Sequence, residues 1–170
     1  MRTLTDEMVT GAIGGLAGGM MMTAFMTGAT KAGVIDETLP HKVEQYAEEQ
    51  LDQQEQTDLT QERAFAQGGH LVYSAALGAL YGALRHSMDD PPPLPTGPAY
   101  GLGIYAINLL GIGPQLGITR RPWNEEPTTV GRQIMMHAMF GAVTALAQEE
   151  LLQRGFDVPT PDVGSKVAGQ

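Results

Sequence analysis

Long uncharged blocks alternate with short charged or proline-rich stretches along this chain. The first block runs from Met8 to Thr30 and holds twenty-three residues without a formal charge. A helix of that length, at a rise of about 1.5 Å per residue, crosses a hydrocarbon core of about 30 Å. The pattern therefore predicts a transmembrane helix over residues 8–30, around which the rest of the chain is organised.

Glycine recurs within this first block at a helical spacing. Gly11, Gly15 and Gly19 are four residues apart and therefore share one face of the helix. Small residues at this spacing let the backbone of a second helix approach closely inside a membrane. Gly78 and Gly82 repeat the step in a later block. We predict that these five glycines lie at contacts between helices.

Three further blocks have the same apolar character. Residues 64–84 and residues 98–118 each provide twenty-one positions without Asp, Glu, Lys or Arg. The last block, 132–152, is weaker because its charge-free core covers only residues 133–148. Together with 8–30, these blocks predict an all-α polytopic membrane bundle of about four transmembrane helices.

Charged residues mark the ends of these blocks. Arg85 and His86 close the second block, as expected for a span that reaches the membrane boundary. Glu149 and Glu150 would emerge at the end of the fourth block.

The third block contains its own helix breakers. Gly111, Gly113 and Pro114 predict a kink or an early end in its second half. Arg120, Arg121 and Trp123 follow the block and are typical of an interface anchor just outside the hydrocarbon.

The stretches between the blocks are charged or rich in proline. Residues 41–62 predict an acidic helix outside the membrane, because charge runs are usually solvent faces. Residues 88–96, MDDPPPLPT, predict a stiff loop, since successive prolines cannot continue a helix. The chain is thus divided into a membrane domain over residues 1–156 and a disordered tail over residues 157–170.

Composition narrows the class of function. The formal net charge of -9 disfavours nucleic acid as a partner. There is no cysteine, which excludes disulfides and thiolate metal sites. No P-loop, GxSxG, HExxH or kinase signature is present, so we expect a protein that is not an enzyme. The expected partners are the lipid bilayer and either further copies of the chain or a larger membrane complex.

Mean hydropathy leaves a second class open. Its value of -0.12 is that of an ordinary soluble protein. A soluble helical protein is therefore the alternative to a membrane bundle, and the dependence of extraction on detergent separates the two.

A short internal echo places two histidines at matching positions. Residues 70–75 have the sequence HLVYSA and residues 137–142 have HAMFGA. Duplication of a two-helix hairpin would produce this echo, and so would chance similarity between two helices rich in Ala and Gly. Because the second and fourth helices enter the membrane from the same face, we expect His70 and His137 at similar depth, with His41 starting on that face too.

Histidine inside a membrane points either to a site or to packing. An imidazole ligates metal ions and haem, and it exchanges protons near neutral pH. The candidate metal ligands are His70, His137 and His41, and the sequence identifies no cofactor. The alternative is that each histidine hydrogen-bonds to a neighbouring helix, because polar pairs between helices are common in membranes.

These features predict an integral membrane protein with a packing, partnering or accessory-subunit role inside a membrane complex. The first alternative is a small transporter, or a protein that handles protons or metal, with its site at His70 and His137. The second alternative is a haem-binding membrane subunit.

The arrangement of the blocks also resembles a known family. A glycine-rich first helix, the turn Leu39-Pro40 into an acidic helix, and the segments GGHLVYSAALGALYG and AYGLGIYAINLLGIGPQLGI are similar to the YagU-like bacterial inner-membrane proteins of unknown function. The resemblance covers roughly residues 8–150. It implies a multi-pass protein of the inner (plasma) membrane with no established catalytic residues.

Overall fold

The computed structural model describes residues 2–33, residue 46 and residues 59–156. Throughout these ranges the regular structure is helical, and no strand occurs in them. The predicted all-α class is therefore confirmed for this part of the chain. Four long helices account for most of it: α1 spans Leu4–Lys31, α2 spans Leu59–His86, α3 spans Pro93–Tyr105 and α4 spans Pro127–Gln153.

Two predicted segments fall largely outside the described residues. The acidic helix predicted over 41–62 has only Tyr46 and residues 59–62 within them, and residues 59–62 form the start of α2. The tail predicted over 157–170 lies outside them entirely.

The first turn of α1 is capped, which explains why the helix begins at Leu4 rather than at Met8. The hydroxyl of Thr3 accepts a hydrogen bond from the backbone N–H of Asp6 at 3.1 Å, and the carboxylate of Asp6 accepts one from the backbone N–H of Thr3 at 2.9 Å. This reciprocal capping box satisfies two donors that a helix start leaves free. Asp6 and Glu7 also lie at the positive end of the helix dipole.

The third helical region differs most from its prediction. The loop predicted over 88–96 is wrong in its second half, because α3 begins at Pro93. Proline suits a first helical turn, where its missing N–H removes no hydrogen bond. Leu94 interrupts this start with φ -111° and ψ 113°. Where the sequence predicted a kink, α3 continues as a π-helix over Ala106–Ile112, followed by the helical turn Gly113–Gln115.

Close backbone contacts join three pairs of helices. α1 packs along α2, α3 packs along α4, and α1 packs along α4. α2 and α3 meet through side chains instead. The hydroxyl of Tyr100 donates to the carbonyl oxygen of Leu77 at 2.6 Å, and the hydroxyls of Tyr81 and Thr96 are 3.0 Å apart. The backbones on this side are therefore separated by tyrosine rings.

Glycine makes the contact between α1 and α2 possible. A Cβ atom on Gly11 would collide with the carbonyl oxygen of Gly78, and a Cβ atom on Gly15 would collide with that of Ser74. Backbones that approach this closely leave no room for a larger residue. All of the glycines predicted at helix contacts lie along this α1–α2 contact: Gly11, Gly15, Gly19, Gly78 and Gly82.

The α3–α4 hairpin is built in the same way. A Cβ atom on Gly97 would collide with the carbonyl oxygen of Gly141, just as a Cβ atom on Gly15 would collide with the carbonyl oxygen of Ser74. Ser74 and Gly141 each lie four residues after the histidine of the sequence echo. Equivalent positions of α2 and α4 therefore make equivalent contacts, which agrees with a duplicated hairpin.

Small and polar side chains fill much of the interior, and many large apolar ones lie outside. Among the described residues the side chains of Gln148, Thr10 and Thr144 are fully buried, and the larger apolar side chains of Phe140 and Leu109 are 2% exposed. On the outer surface, Val72 is 72% exposed and Ile107 is 56% exposed. This distribution runs against that of a water-soluble protein, in which large apolar side chains are the ones most often buried.

Among the described helices, only α1 is long and apolar enough, by length and composition, to cross a membrane. α3 has 13 residues before the π-helix begins. α2 and α4 carry glycine, histidine and glutamine among their apolar residues, which lowers their mean hydropathy. The described helices thus include one apolar helix of spanning length.

Candidate functional site

The two histidines of the sequence echo lie well inside their helices. His70 is eleven residues after Leu59, the first residue of α2, and His137 is ten residues after Pro127, the first residue of α4. Since α2 and α4 run in the same direction, the rings lie at similar depth. Both helices begin five residues before their predicted spans, so the histidines lie farther from the helix starts than the sequence predicted.

His70 is attached to the neighbouring helix α1. Its Nδ1 atom lies 3.1 Å from the hydroxyl oxygen of Thr23, and the tautomer decides which of the two groups donates. This contact is of the kind that the packing alternative expects, a polar contact between a histidine and a neighbouring helix.

His137 is buried, and a backbone contact sets its tautomer. Its Nδ1 atom lies 2.8 Å from the carbonyl oxygen of Gln133. A carbonyl oxygen only accepts, so Nδ1 carries the hydrogen, and in the neutral ring Nε2 keeps its lone pair. Tyr105 of α3 meets the ring edge-on, with centroids 5.5 Å apart. A bond from one ring nitrogen to a carbonyl is how proteins commonly orient a histidine that ligates a metal ion.

The structure describes two of the three histidines that the sequence predicted as metal ligands. His41 lies outside the described residues, which leaves His70 and His137. Within the described ranges, no group of three or more His, Cys, Asp or Glu side chains is arranged to hold a metal ion. Ions such as Mg²⁺ and Ca²⁺ take oxygen ligands, so this pair alone does not suit them.

Three buried methionines form a cluster in the centre of the bundle. Met22 and Met26 come from α1 and Met136 comes from α4, and they pack with Phe140. Each of the three methionines is 8% exposed. Residues of α2 and α3 cover this methionine cluster, namely Leu77 and Tyr100. All four helices therefore contribute to the methionine cluster or to the residues that cover it.

Two members of the methionine cluster are neighbours in sequence of a histidine or of its partner. Met136 directly precedes His137, and Met22 directly precedes Thr23, the partner of His70. The sequence did not predict the methionine cluster, although methionine recurs in the segments MMMTAFM and MMHAM. Methionine at helical spacing is usual in apolar cores, so the segments alone do not distinguish a core from a site.

A buried ion-pair cluster lies at the opposite end of the bundle; we call it the charged end and define it as Glu7, Arg85, Gln148 and Glu149. The Arg85 side chain is only 2% exposed. Its Nη2 atom donates to the carboxylate of Glu149, and its Nε atom is 3.8 Å from a carboxylate oxygen of Glu7. The guanidinium therefore connects α1, α2 and α4.

Gln148 completes the charged end. Its Nε2 atom donates to the backbone carbonyl oxygen of Glu7 at 3.0 Å and to the carboxylate of Glu7 at 2.8 Å. Within the described part of the chain, Gln148 Oε1 and Arg85 Nη1 are buried without a hydrogen-bond partner. The charged end is thus well connected but not fully satisfied by protein atoms.

The sequence did not predict the charged end. Arg85 was expected at the membrane boundary, and Glu149 was expected to emerge with Glu150. Glu150 is exposed, in a pair with Arg154 at 2.7 Å. Glu149 is only 21% exposed and pairs with Arg85. The position of Arg85 at a membrane boundary stays a prediction. A signal was available in Glu7, which precedes the first block, because antiparallel neighbours bring the start of one helix to the end of the next.

A cleft of about 160 Å³ opens beside the charged end. It is lined by Arg2, Glu7, Arg85, His86, Met88, Asp90 and Pro91. Two arginines, two carboxylates and one histidine lie in this lining.

Two side chains of the predicted interface anchor are in contact. The guanidinium carbon of Arg121 lies 5.4 Å from the ring centroid of Trp123, and the tryptophan is 67% exposed. Such a cation–π pair with an exposed ring suits a membrane boundary. Its position at a boundary stays a prediction.

Comparisons with known proteins yield no relative of this chain. No family model matches it, and neither a curated protein nor a solved structure gives a significant match. For the part of the chain that the structure describes, the fold and the site define only a class: a helical protein with one apolar helix of spanning length, a partly buried His70 and a buried His137.

Proposed function

We propose that this chain is a multi-pass integral protein of the bacterial inner (plasma) membrane, whose long helices cross the bilayer. We propose further that it acts by packing with partner subunits inside a membrane complex, rather than by catalysis. The observation that supports the proposal best is the distribution of side chains, with polar as well as apolar groups buried inside and many large apolar groups exposed outside.

The outer surface suits lipid better than water. Val72 is 72%, Leu80 48% and Ile107 56% exposed, and they belong to two different helices or their continuations. Soluble monomers rarely expose large apolar patches, because each such patch favours association. In a bilayer the same side chains face hydrocarbon without penalty.

The interior suits helices that associate in lipid. Lipid tails are as apolar as leucine, so the hydrophobic effect does not drive such helices together. Close backbone packing does, and it occurs here at Gly11, Gly15 and Gly78. Buried hydroxyls such as those of Thr10 and Thr144 donate to carbonyl oxygens one turn earlier, which satisfies them within their own helices.

Low mean hydropathy is compatible with this proposal. The mean hydropathy of a helix counts Arg85, Glu7 and Gln148 as though they faced lipid. In the structure they face one another inside the bundle. Charged residues within membrane helices characteristically point inward and pair. The hydropathy of α2 and α4 therefore underestimates the apolar character of their outer faces.

Cysteine labelling tests the proposal, since the chain has no native cysteine. Val72→Cys, Leu80→Cys and Ile107→Cys in open membrane fragments are expected to resist a water-soluble maleimide, because lipid or a partner covers them. After denaturation each variant should label fully. Ser87→Cys, at the exposed end of α2, is the matched control and should label at once. Rapid labelling of Val72→Cys in membranes would show that this face meets water and would refute the proposal.

A second candidate function is the handling of a proton or a metal ion at His70 and His137. The observation that favours it is their shared depth, together with the bond from His137 Nδ1 to Gln133, which leaves Nε2 available. The double variant His70→Gln/His137→Gln keeps hydrogen-bonding groups and is expected to bind less metal than the native protein. The haem alternative and the YagU-like resemblance stay predictions.

A further inference from the structure

We infer that the charged end of the bundle faces the periplasm and that the opposite end faces the cytoplasm. We call the opposite end the loop end and define it by its basic residues Lys31, Arg63, Arg120, Arg121 and Arg132. The inference rests on the proposed function, since only a chain that crosses the bilayer has two sides. It adds to that function the direction in which the helices cross.

The contacts of the glycines show which helix ends lie together. Gly11 of α1 meets Gly78 of α2, and the later Gly15 meets the earlier Ser74, so α1 and α2 are antiparallel. The other closely packed helix pairs show the same reversal of order. The contacts are Gly14–Thr144 and Gly18–Phe140 between α1 and α4, and Gly97–Gly141 and Gly101–His137 between α3 and α4. The end of α1, the start of α2, the end of the helical region that continues α3 and the start of α4 therefore lie together at the loop end.

Basic residues are more numerous at the loop end than at the charged end. The described part of the chain places five at the loop end, namely Lys31, Arg63, Arg120, Arg121 and Arg132, and three at the charged end, namely Arg2, Arg85 and Arg154. The rest of the sequence adds one lysine to each side, Lys42 between α1 and α2 and Lys166 after α4. These two lysines leave the difference between the ends unchanged.

The structure removes Arg85 from this comparison. Its side chain is 2% exposed and is bonded to carboxylates of Glu7 and Glu149, so it faces the interior of the bundle instead of the lipid headgroups. Arg154 is exposed but pairs with Glu150 at 2.7 Å. Among the described residues, five basic side chains at the loop end thus stand against two at the charged end, Arg2 and Arg154.

The basic residues of the loop end are better placed to meet headgroups. Lys31, Arg120 and Arg121 are exposed. Arg121 lies over the ring of Trp123, and tryptophan is enriched where a membrane protein meets the headgroups. The loop end therefore offers free positive charge at the place where the membrane boundary is expected.

Free basic residues in short connections favour the cytoplasmic side of a membrane. The connections at the loop end are short, since they cover residues 32–58 and 116–126. Anionic lipids of the cytoplasmic leaflet also attract Lys and Arg close to the membrane. The acidic residues of these connections do not reverse the argument, because Asp and Glu contribute little to orientation.

This orientation also places the cleft beside the charged end. Arg2, Glu7 and Asp90 are among its lining residues. With the charged end in the periplasm, a solute or partner that enters the cleft does so from the periplasmic side.

The experiment is cysteine labelling of full-length protein in intact spheroplasts with a maleimide that does not cross membranes. Ser87→Cys lies at the charged end and Thr128→Cys lies at the loop end, and both positions are exposed. Ser87→Cys is expected to label in intact spheroplasts. Thr128→Cys is expected to label only after the membrane is permeabilised. The native protein, which has no cysteine, is the blank.

The other outcomes separate the orientation from the function on which it rests. Labelling of Thr128→Cys alone in intact spheroplasts would overturn the orientation and leave the membrane-spanning proposal standing. Partial labelling of each variant, completed by permeabilisation, would show copies in both orientations and would overturn a single orientation. Equal labelling of both, either complete before permeabilisation or absent until then, would place both ends on one side and overturn the multi-pass proposal as well.

Reporter fusions keep the inference testable if a cysteine variant does not fold. Because α4 ends at the charged end, a reporter fused after Gln170 follows that end of the bundle. Alkaline phosphatase, which is active only after export, is expected to be active in this fusion. Green fluorescent protein, which fluoresces only when it folds in the cytoplasm, is expected to stay dark. The reverse result would overturn the orientation.

Discussion

Arg85 illustrates how this fold accommodates a charged side chain in its interior. The guanidinium is 2% exposed and lies between the carboxylates of Glu7 and Glu149. Water no longer solvates these charges, so each depends on its partners. Such a cluster adds little net stability over an apolar replacement of all its members, but removal of one member leaves another buried and unpaired.

We therefore expect Arg85→Leu to destabilise the protein strongly. Breaking a buried ion pair by removing one partner costs about 3–5 kcal/mol, because the remaining charge is stranded. Thermal unfolding in detergent, followed by circular dichroism, measures the effect as a lower midpoint. The double variant Arg85→Leu/Glu7→Gln should regain part of the loss, since it removes the stranded carboxylate on α1.

Arg154→Leu is the matched control for this prediction. Arg154 forms an exposed pair with Glu150, with 75% and 57% of the two side chains accessible. Exposed pairs contribute about 0–1 kcal/mol, so the midpoint should hardly change. Equal effects of Arg85→Leu and Arg154→Leu would contradict the burial of the charged end.

At the scale of elements, the pairing of helices depends on a few glycines. At Gly15 the backbone of α2 passes so close that a Cβ atom would collide with the carbonyl oxygen of Ser74 and lie 2.8 Å from the Cα atom of Gly78. Both obstacles are backbone atoms, which cannot move aside as a flexible side chain does. The α1–α2 contact therefore tolerates only glycine at this point.

We expect Gly15→Ala to push α1 and α2 apart and to lower stability, since overpacking costs about 1–3 kcal/mol. Gly28→Ala in the same helix is the control. A Cβ atom at Gly28 meets nothing within 4 Å, and alanine favours the helix by about 0.5–1 kcal/mol over glycine. The unfolding midpoint in detergent should fall for the first variant and hold or rise for the second. A midpoint for Gly15→Ala equal to that for Gly28→Ala would contradict the contact.

At the scale of the whole molecule, the bundle consists of two glycine-packed helix pairs, α1–α2 and α3–α4. The two contacts between these pairs differ in how closely the backbones approach. Backbones approach closely where α1 meets α4, because a Cβ atom on Gly14 would collide with the carbonyl oxygen of Thr144. On the other side, α2 and α3 are separated by tyrosine, with the rings of Tyr81 and Tyr100 5.1 Å apart. The apolar outer surface surrounds both halves.

This surface leads to a prediction about extraction. Full-length protein in cell membranes is expected to stay in the pellet after washes with carbonate or high salt, and to enter the supernatant only with detergent. Lipid contact holds it there, whereas a peripheral protein in the same sample should be released by carbonate. Recovery of the chain in the supernatant without detergent would support the soluble alternative.

Much of the helical architecture follows from local patterns. The uncharged blocks marked the positions of α1, α2 and α4, because a run of apolar and small residues favours a helix whatever surrounds it. The spacing of Gly11, Gly15 and Gly19 indicated a contact face, and the echo around His70 and His137 indicated similar depth. Helix ends were less accurate, since a capping box at Thr3 and a proline start at Pro93 extend helices beyond their apolar cores.

The sequence by itself thus determined the all-helical class and the faces along which helices pack, because both depend on residues a few positions apart. Tertiary structure alone decided which distant residues meet. Arg85 reaches Glu7 and Glu149 only because three helix ends converge, and Met136 joins Met22 only because α4 packs along α1. No local pattern specifies such meetings, since they depend on the direction and rotation of each helix within the bundle.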